Sequence, residues 1–188
     1  MTADLLIQNI GMLATPLGTT AKAGKAQGEI SIRLNAWIAV ENGTIAAIGE
    51  GEAPDAWRNG AKEILDAKGR LVTPGLVDAH THLVFGGWRE NELALKLHGV
   101  PYLDILAQGG GILSTVRATR AATEEELCEK TGAALSQMLS LGTTTCEAKS
   151  GYGLDMENEL KQLRVVKTLK ESQPVELVST FMAAHAVP

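Results

Sequence analysis

The chain has 188 residues, a formal net charge of −5, 45% hydrophobic residues and 21% charged residues, a balance typical of globular proteins. No basic cluster reaches the density that binding to a phosphate backbone would need, so the sequence argues against a nucleic-acid partner. The start of the chain lacks a signal-peptide pattern and no apolar run reaches membrane-spanning length, so we expect a cytoplasmic protein without a membrane partner.

The first part of the chain is predicted to form short strands joined by turns. Two apolar runs, at 36–40 and 44–48, flank the dipeptide Asn42-Gly43, a combination that strongly indicates a hairpin. A small, polar, glycine-rich stretch at 21–28 is expected to be an exposed loop. We interpret residues 1–70 as part of a small β-sandwich.

From Leu71 onward the pattern changes to strands that alternate with helices, which is typical of a parallel α/β architecture. Strands are predicted at 76–82, 143–147 and 175–181. We therefore predict that residues 71–188 form a second, α/β domain.

Two helices are predicted between these strands. Thr123 and Glu126 have the spacing of a capping box at the start of the first helix, and Asp155 is expected to cap the second. The second helix is predicted to bury an apolar stripe at Leu160, Leu163, Val166 and Leu169.

A long segment connects the first of these strands to the first long helix. It contains Trp88, Arg89, Tyr102 and three consecutive glycines at 109–111, and a short helix is predicted at 101–106. Loops at the carboxyl ends of parallel strands build the sites of barrel enzymes. We therefore expect this segment to form an ordered cover over a site.

The strongest functional motif ends the first α/β strand. His80 and His82 alternate with Thr81, so a strand would direct both imidazoles to the same face, where they could bind one divalent metal. Asp78 has the same parity and could orient one of the histidines. A bare His-x-His also occurs by chance, but here a Pro-Gly, a strand and an acid in phase accompany it.

These residues resemble the first barrel strand of the amidohydrolase superfamily, whose motif is Pro-Gly, a short apolar stretch, Asp and His-x-His. Blocks at 109–116, 147–154 and 180–185 extend the resemblance over nearly the whole chain. The resemblance implies an α/β fold, the amino-terminal part of a metal-dependent (β/α)₈ TIM-like barrel. It also implies a partial β-sandwich that a segment beyond this sequence completes.

Within the superfamily, the three blocks are most similar to a ring-opening hydrolase of histidine degradation. The resemblance implies hydrolysis of the cyclic amide of 4-imidazolone-5-propanoate to N-formimidoyl-L-glutamate. It implies one divalent metal, zinc or iron, bound by His80 and His82. The remaining ligands and the catalytic acid and base are expected beyond Pro188, and a homodimer is possible.

The resemblance also assigns substrate-binding roles. Arg89 matches a carboxylate-binding arginine, Tyr152 a hydrogen-bond donor and His185 a further contact, with Tyr102 as a fourth. Many amidohydrolases bridge two metals through a lysine, but Lys149 lies in phase with Glu147 at the end of the second strand. We therefore predict an ion pair between these two residues and a single metal.

Two alternatives remain open. Another mononuclear amidohydrolase, such as a cyclic deaminase acting on a nucleobase, would share the two histidines but would not need Arg89. A truncated, non-catalytic assembly module is the other alternative. We expect residues 1–188 expressed alone to be inactive, since two histidines do not complete a metal site.

Overall fold

The computed structural model describes residues 2–186, which divide into two compact units. The first unit ends at Pro74 and the second begins at Gly75. Within the described residues, every helix is too short or too polar to cross a membrane.

The first unit is a five-stranded sheet. Its elements are β1 (Ala3–Pro16), a 3₁₀ turn (Gly24–Gly28), β2 (Ile30–Glu41), β3 (Thr44–Glu50), α1 (Asp55–Arg58), β4 (Ala61–Asp66) and β5 (Leu71–Val72). Strands β1 to β3 form an antiparallel meander, while β4 and β5 both run parallel to β1, giving the order β3-β2-β1-β4 with β5 beside the second half of β1.

The hairpin between β2 and β3 is formed as predicted. Asn42 and Gly43 have φ angles of 53° and 72°, the left-handed pair that a tight two-residue turn between twisted strands requires. The buried side chains of the sheet include Leu6, Ile10 and Trp37, each at most 7% exposed. The assignment of residues 1–70 to a sandwich domain that another segment completes stays a prediction.

The second unit contains three parallel strands in the order β6-β7-β8, connected through helices. Its elements are β6 (Leu76–Thr81), α2 (Asn91–Leu97), α3 (Tyr102–Ala107), α4 (Gly111–Ala121), α5 (Glu124–Ser140), β7 (Thr143–Lys149), α6 (Met156–Ser172) and β8 (Glu176–Thr180). Each strand ends near a predicted site residue, so the strand order determines which of those residues become neighbours.

Both predicted helix caps are confirmed. The Glu126 amide donates to the Thr123 hydroxyl at 3.2 Å, and the Thr123 amide donates to the Glu126 carboxylate at 2.9 Å. At α6, the Asn158 amide donates to the Asp155 carboxylate at 2.8 Å. Each cap contributes about 1 kcal/mol by satisfying backbone donors that the first helical turn leaves unpaired.

The predicted buried stripe of α6 is wrong at Leu160, whose side chain is 42% exposed. The buried face instead contains Gln162, Val166 and Leu169, together with Glu159 and Val165. Gln162 lies two residues after Leu160, which corresponds to a rotation of about 200° around the helix axis. The leucine therefore faces away from the sheet. Two polar side chains therefore occupy the buried face at the start of α6.

Candidate active site

Three predicted site residues meet at the carboxyl end of the parallel sheet. His82 follows β6, Tyr152 lies in the loop after β7, and His185 lies in the turn after β8. The His82 ring centroid is 4.2 Å from that of His185 and 5.1 Å from that of Tyr152, and the Tyr152 and His185 rings meet edge to face at 5.7 Å. Because parallel strands bring their carboxyl ends together, residues far apart in sequence form one aromatic cluster.

His82 is partly buried, and its Nδ1 atom has no hydrogen-bond partner among the described residues. Burial lowers the pKa of His82 below its ordinary value, and the nearby His185 acts in the same direction. The imidazole is therefore neutral at pH 7, which is the form that binds a metal. An unpartnered nitrogen on a neutral imidazole fits a metal ligand.

His80 is exposed on β6, and its charge would also lower the pKa of His82, so the two histidines are neighbours. The carboxylate of Asp78 accepts a hydrogen bond from the His80 backbone amide at 3.1 Å. This bond is with the main chain and not with an imidazole, so the predicted orienting role of Asp78 stays a prediction. Residues 2–186 contain no group of three or more His, Cys, Asp or Glu side chains arranged to hold a metal. Two histidines fit part of a metal site, and catalytic sites use about three protein ligands.

A cavity of about 230 Å³ opens beside the aromatic cluster, lined by His82, Phe85, Trp88, Arg89, Thr115 and Tyr152. Two larger cavities, of about 330 and 350 Å³, lie in the first unit, and another, of about 280 Å³, lies in the second unit. The charged side chains that line these three are Glu52, Arg58 and Glu92, and none of the lining residues is a histidine or a tyrosine. The smaller cavity is therefore the better candidate for a site that performs chemistry.

Arg89 supplies the positive charge of this cavity. It is partly buried, and no carboxylate among residues 2–186 lies within 4.0 Å of its guanidinium. A planar guanidinium can bind a carboxylate through two parallel hydrogen bonds. The Arg89 charge helps to lower the pKa of Glu92 from beyond that distance. Within residues 2–186 the guanidinium therefore has no direct ion-pair partner and can bind an anion in the cavity.

The two tyrosines predicted to contact substrate differ in position. Burial raises the pKa of Tyr152, which lines the cavity, and the Arg89 charge opposes that rise. Tyr102 is 48% exposed, does not line the cavity, and accepts a hydrogen bond from the Ile112 amide at 3.4 Å. Its contacts thus stabilise the start of α4, and its role in substrate binding stays a prediction.

The predicted ion pair between Glu147 and Lys149 is confirmed. The ammonium group contacts the Glu147 carboxylate directly and holds its pKa below the ordinary value, with a further hydrogen bond from the Thr180 hydroxyl at 2.7 Å. Lys149 is therefore engaged by a carboxylate of its own strand, and the single metal stays a prediction.

The loop that carries Tyr152 depends on the glycine before the tyrosine and on Glu159, which sequence analysis missed. Gly151 has a φ angle of 120°, and a Cβ atom there would lie 2.7 Å from the Cβ of His185, so only glycine fits. The fully buried carboxylate of Glu159 accepts hydrogen bonds from the amides of Gly153 and Leu154, at 2.7 and 2.8 Å. Through Glu159, the start of α6 thus fixes the backbone of the loop at Gly153 and Leu154.

Lys130, on α5, holds the segment that carries Arg89. Its ammonium donates to the carbonyls of Phe85, at 3.0 Å, and Gly87. The same nitrogen lies 3.5 Å from the Phe85 ring centroid and 4.1 Å from that of Trp88. Two carbonyls and two aromatic faces favour the charged lysine, but burial lowers its pKa to about 8.

We therefore expect Trp88 fluorescence to titrate with a midpoint near pH 8 and the Lys130→Met variant to lack that step. The unfolded chain keeps the ordinary lysine pKa of about 10.5 and so holds a proton that the folded chain loses above about pH 8. Because the unfolded chain binds more protons at Lys130 between about pH 8 and pH 10.5, this lysine makes the free energy of unfolding rise with pH over that range. Lys167→Met, which changes an exposed lysine on α6, is the control. An unchanged titration in Lys130→Met would contradict the assignment.

Comparison with known proteins defines the class. The model of the amidohydrolase family matches residues 63–107. The solved structure of guanine deaminase from E. coli has a TM-score of 0.58 at 15% identity, covering 94% of this chain and 35% of that one. Atrazine chlorohydrolase from Arthrobacter aurescens, solved in complex with zinc, gives 0.53 at 16% identity, with shares of 94% and 35%. The chain has the amidohydrolase fold. The assignment of its second unit to the first strands and helices of the barrel stays a prediction.

Relatives of higher identity narrow the comparison. Imidazolonepropionase from Fusobacterium nucleatum is 56% identical, and that from Alkaliphilus metalliredigens 54% identical, over 190 aligned residues that cover 100% of this chain. The enzyme of the same name from Bacillus velezensis is 54% identical over 98% of the chain. The chain is similar to imidazolonepropionases over its whole length, which confirms the resemblance, and spans about 45% of the length of these relatives.

Proposed function

We propose that the protein is a metal-dependent hydrolase that opens the ring of 4-imidazolone-5-propanoate to give N-formimidoyl-L-glutamate, in histidine degradation. The similarity to imidazolonepropionases supports the reaction. The observation that carries the substrate is the position of Arg89 in a cavity shared with His82 and Tyr152. A propionate needs a fixed cation, and Arg89, which has no carboxylate within 4.0 Å among residues 2–186, can supply one.

In this proposal His80 and His82 hold one divalent metal, zinc or iron. Bound there, the metal would lower the pKa of a water molecule to about 7 and so provide hydroxide at neutral pH. The neutral state of His82, which burial favours, keeps its nitrogens available for such a role. Residues 2–186 do not bring a third ligand to this pair, so the remaining ligands and the catalytic acid and base stay unassigned.

Side chains in and beside the cavity bind and orient the substrate in this proposal. Arg89 pairs with the propionate, the Tyr152 phenol donates a hydrogen bond, and His185, which packs against His82 beside the cavity, provides a further contact. Burial raises the pKa of Tyr152, so its phenol stays protonated and can donate at neutral pH. Tyr102 is proposed as a weaker, fourth contact. The cytoplasmic location, the possible homodimer and the lack of a nucleic-acid or membrane partner remain predictions.

A direct assay tests the proposed function. The full-length protein encoded by the gene is purified, its zinc and iron are quantified, and turnover is measured on 4-imidazolone-5-propanoate and on a panel of nucleobases that includes guanine. We expect one metal per chain and turnover of the imidazolone alone. Deamination of a nucleobase would favour the cyclic-deaminase alternative, and a metal-free, inactive protein would favour the assembly module.

A further inference from the structure

Gln162, on α6, joins the two loops that form the candidate site. Its side chain is 1% exposed, with Nε2 donating to the Val84 carbonyl at 2.6 Å and Oε1 accepting from the Tyr152 amide at 3.2 Å. Val84 follows β6 and lies between His82 and Arg89 in sequence. One buried amide thus connects the segment that carries the predicted metal ligand to the loop that carries the predicted substrate-binding tyrosine.

The chemistry of this bridge requires a primary amide. The Val84 carbonyl can only accept a hydrogen bond and the Tyr152 amide can only donate one, so the side chain between them must offer a donor and an acceptor. An ionised glutamate would keep the acceptor but place an oxygen against the Val84 carbonyl. A methionine of similar shape would satisfy neither partner and would leave a buried carbonyl and a buried amide unpaired.

The bridge lies where a small displacement would change the site. The Tyr152 ring is 5.1 Å from the His82 ring and 6.2 Å from the Phe85 ring, which belong to the segment that Gln162 holds through Val84. Glu159 holds the other end of the Tyr152 loop through Gly153 and Leu154. Gln162 thus links the Tyr152 end of the loop to the segment after β6, while Glu159 and Arg120, which donates to the Gly153 carbonyl at 2.7 Å, hold the other end.

We propose that Gln162 is a positioning residue, which fixes the separation between Tyr152 and the segment that carries His82 and Arg89. The consequence for catalysis rests on the proposed function. The consequence for the loop itself does not, because the hydrogen bond to the Tyr152 amide can be followed without substrate.

The test compares Gln162→Met with Gln173→Met in the full-length protein. Gln173 follows α6 at its other end, and its amide likewise donates to one carbonyl and accepts from one backbone amide, both of Val175, at 2.6 Å. It is therefore a matched control that is not part of the cavity lining. Hydrogen–deuterium exchange of peptides overlapping at Tyr152 reports the bridge, and KM and kcat on 4-imidazolone-5-propanoate report the site.

In Gln162→Met, we expect exchange at Tyr152 to accelerate by about tenfold or more and KM to rise about tenfold, with kcat changing less. Gln173→Met should leave both quantities unchanged even where it lowers the melting temperature. Unchanged exchange and KM in Gln162→Met, or an equal KM effect in Gln173→Met, would overturn the proposal. If the wild-type protein does not act on the imidazolone, the proposed function fails and the exchange comparison alone decides the role of Gln162.

A third variant keeps the test decisive if Gln162→Met does not fold. Gln162→Glu retains the acceptor for the Tyr152 amide and loses the donor to Val84. It should therefore keep slow exchange at Tyr152 while KM rises, which separates the two hydrogen bonds. Fast exchange together with an unchanged KM would contradict the proposed bridge.

Discussion

Replacing His82 by alanine should remove the metal from the full-length protein and reduce hydrolysis about a thousandfold or more. The variant loses the partly buried imidazole whose Nδ1 atom has no protein partner among the described residues. Loss of metal-assisted catalysis worth about 4 kcal/mol corresponds to a factor of about a thousand. Metal content by mass spectrometry and kcat/KM on the imidazolone are the measurements.

The fold should survive this change, because β6 pairs with β7 through backbone hydrogen bonds that do not involve the side chain. His98→Ala is the matched control. His98 is an exposed histidine whose ring contacts the Ala94 carbonyl at 2.7 Å, outside the cavity lining. The His98→Ala variant should keep its metal and its activity. Stoichiometric metal in His82→Ala would remove His82 from the ligand set.

The elements of this chain could be predicted where the local sequence alone determines them. Asn42-Gly43 predicts its hairpin because few other dipeptides adopt two left-handed conformations in succession. Thr123 and Glu126 predict the start of α5 because their side chains reach backbone amides within the same turn. Parallel strands then place His82, Tyr152 and His185 at one edge, which follows from strand order rather than from any single motif.

The side chains that hold the site loops in place could not be predicted, because they bond to backbone atoms that are distant in sequence. Gln162 bonds the carbonyl of a residue 78 positions earlier, and Lys130 bonds one 45 positions earlier. Apolar periodicity carries no information about such contacts, since it treats every polar side chain as a candidate for the surface. The same bias produced the error at Leu160, where an apolar residue was assigned to a face that polar residues occupy.

The segment that carries Arg89 and Tyr102 contains a helix start that the local sequence does not predict. Three consecutive glycines favour a loop, yet Gly111 begins the eleven-residue helix α4. The buried carboxylate of Glu92 accepts a hydrogen bond from the Gly111 amide at 2.6 Å and so satisfies one of the donors at the helix start. A tertiary contact from α2 therefore replaces the local cap that sequence analysis looks for.

The second large effect is expected for Arg89→Ala, which should raise KM for 4-imidazolone-5-propanoate by about ten- to a hundredfold. A charge-assisted hydrogen bond to a carboxylate contributes about 1.5–3 kcal/mol, and each 1.4 kcal/mol is a factor of ten. The effect should fall on binding rather than on kcat, because the contact proposed for Arg89 is with the propionate and not with the ring that opens. Steady-state kinetics on the full-length protein provide both constants.

Three comparisons make this prediction specific. Arg164→Ala removes an exposed arginine that pairs with Glu124 at 2.7 Å, so it should leave KM unchanged. Arg89→Lys keeps the charge but not the paired donors, so its KM should lie between those of the wild type and Arg89→Ala. An analogue with a neutral propionamide should bind the wild type and Arg89→Ala with nearly equal affinity. It lacks the carboxylate, so the wild type has no ion pair with it that the substitution could remove. If Arg89→Ala weakens both ligands equally, the arginine stabilises the loop rather than binding the carboxylate.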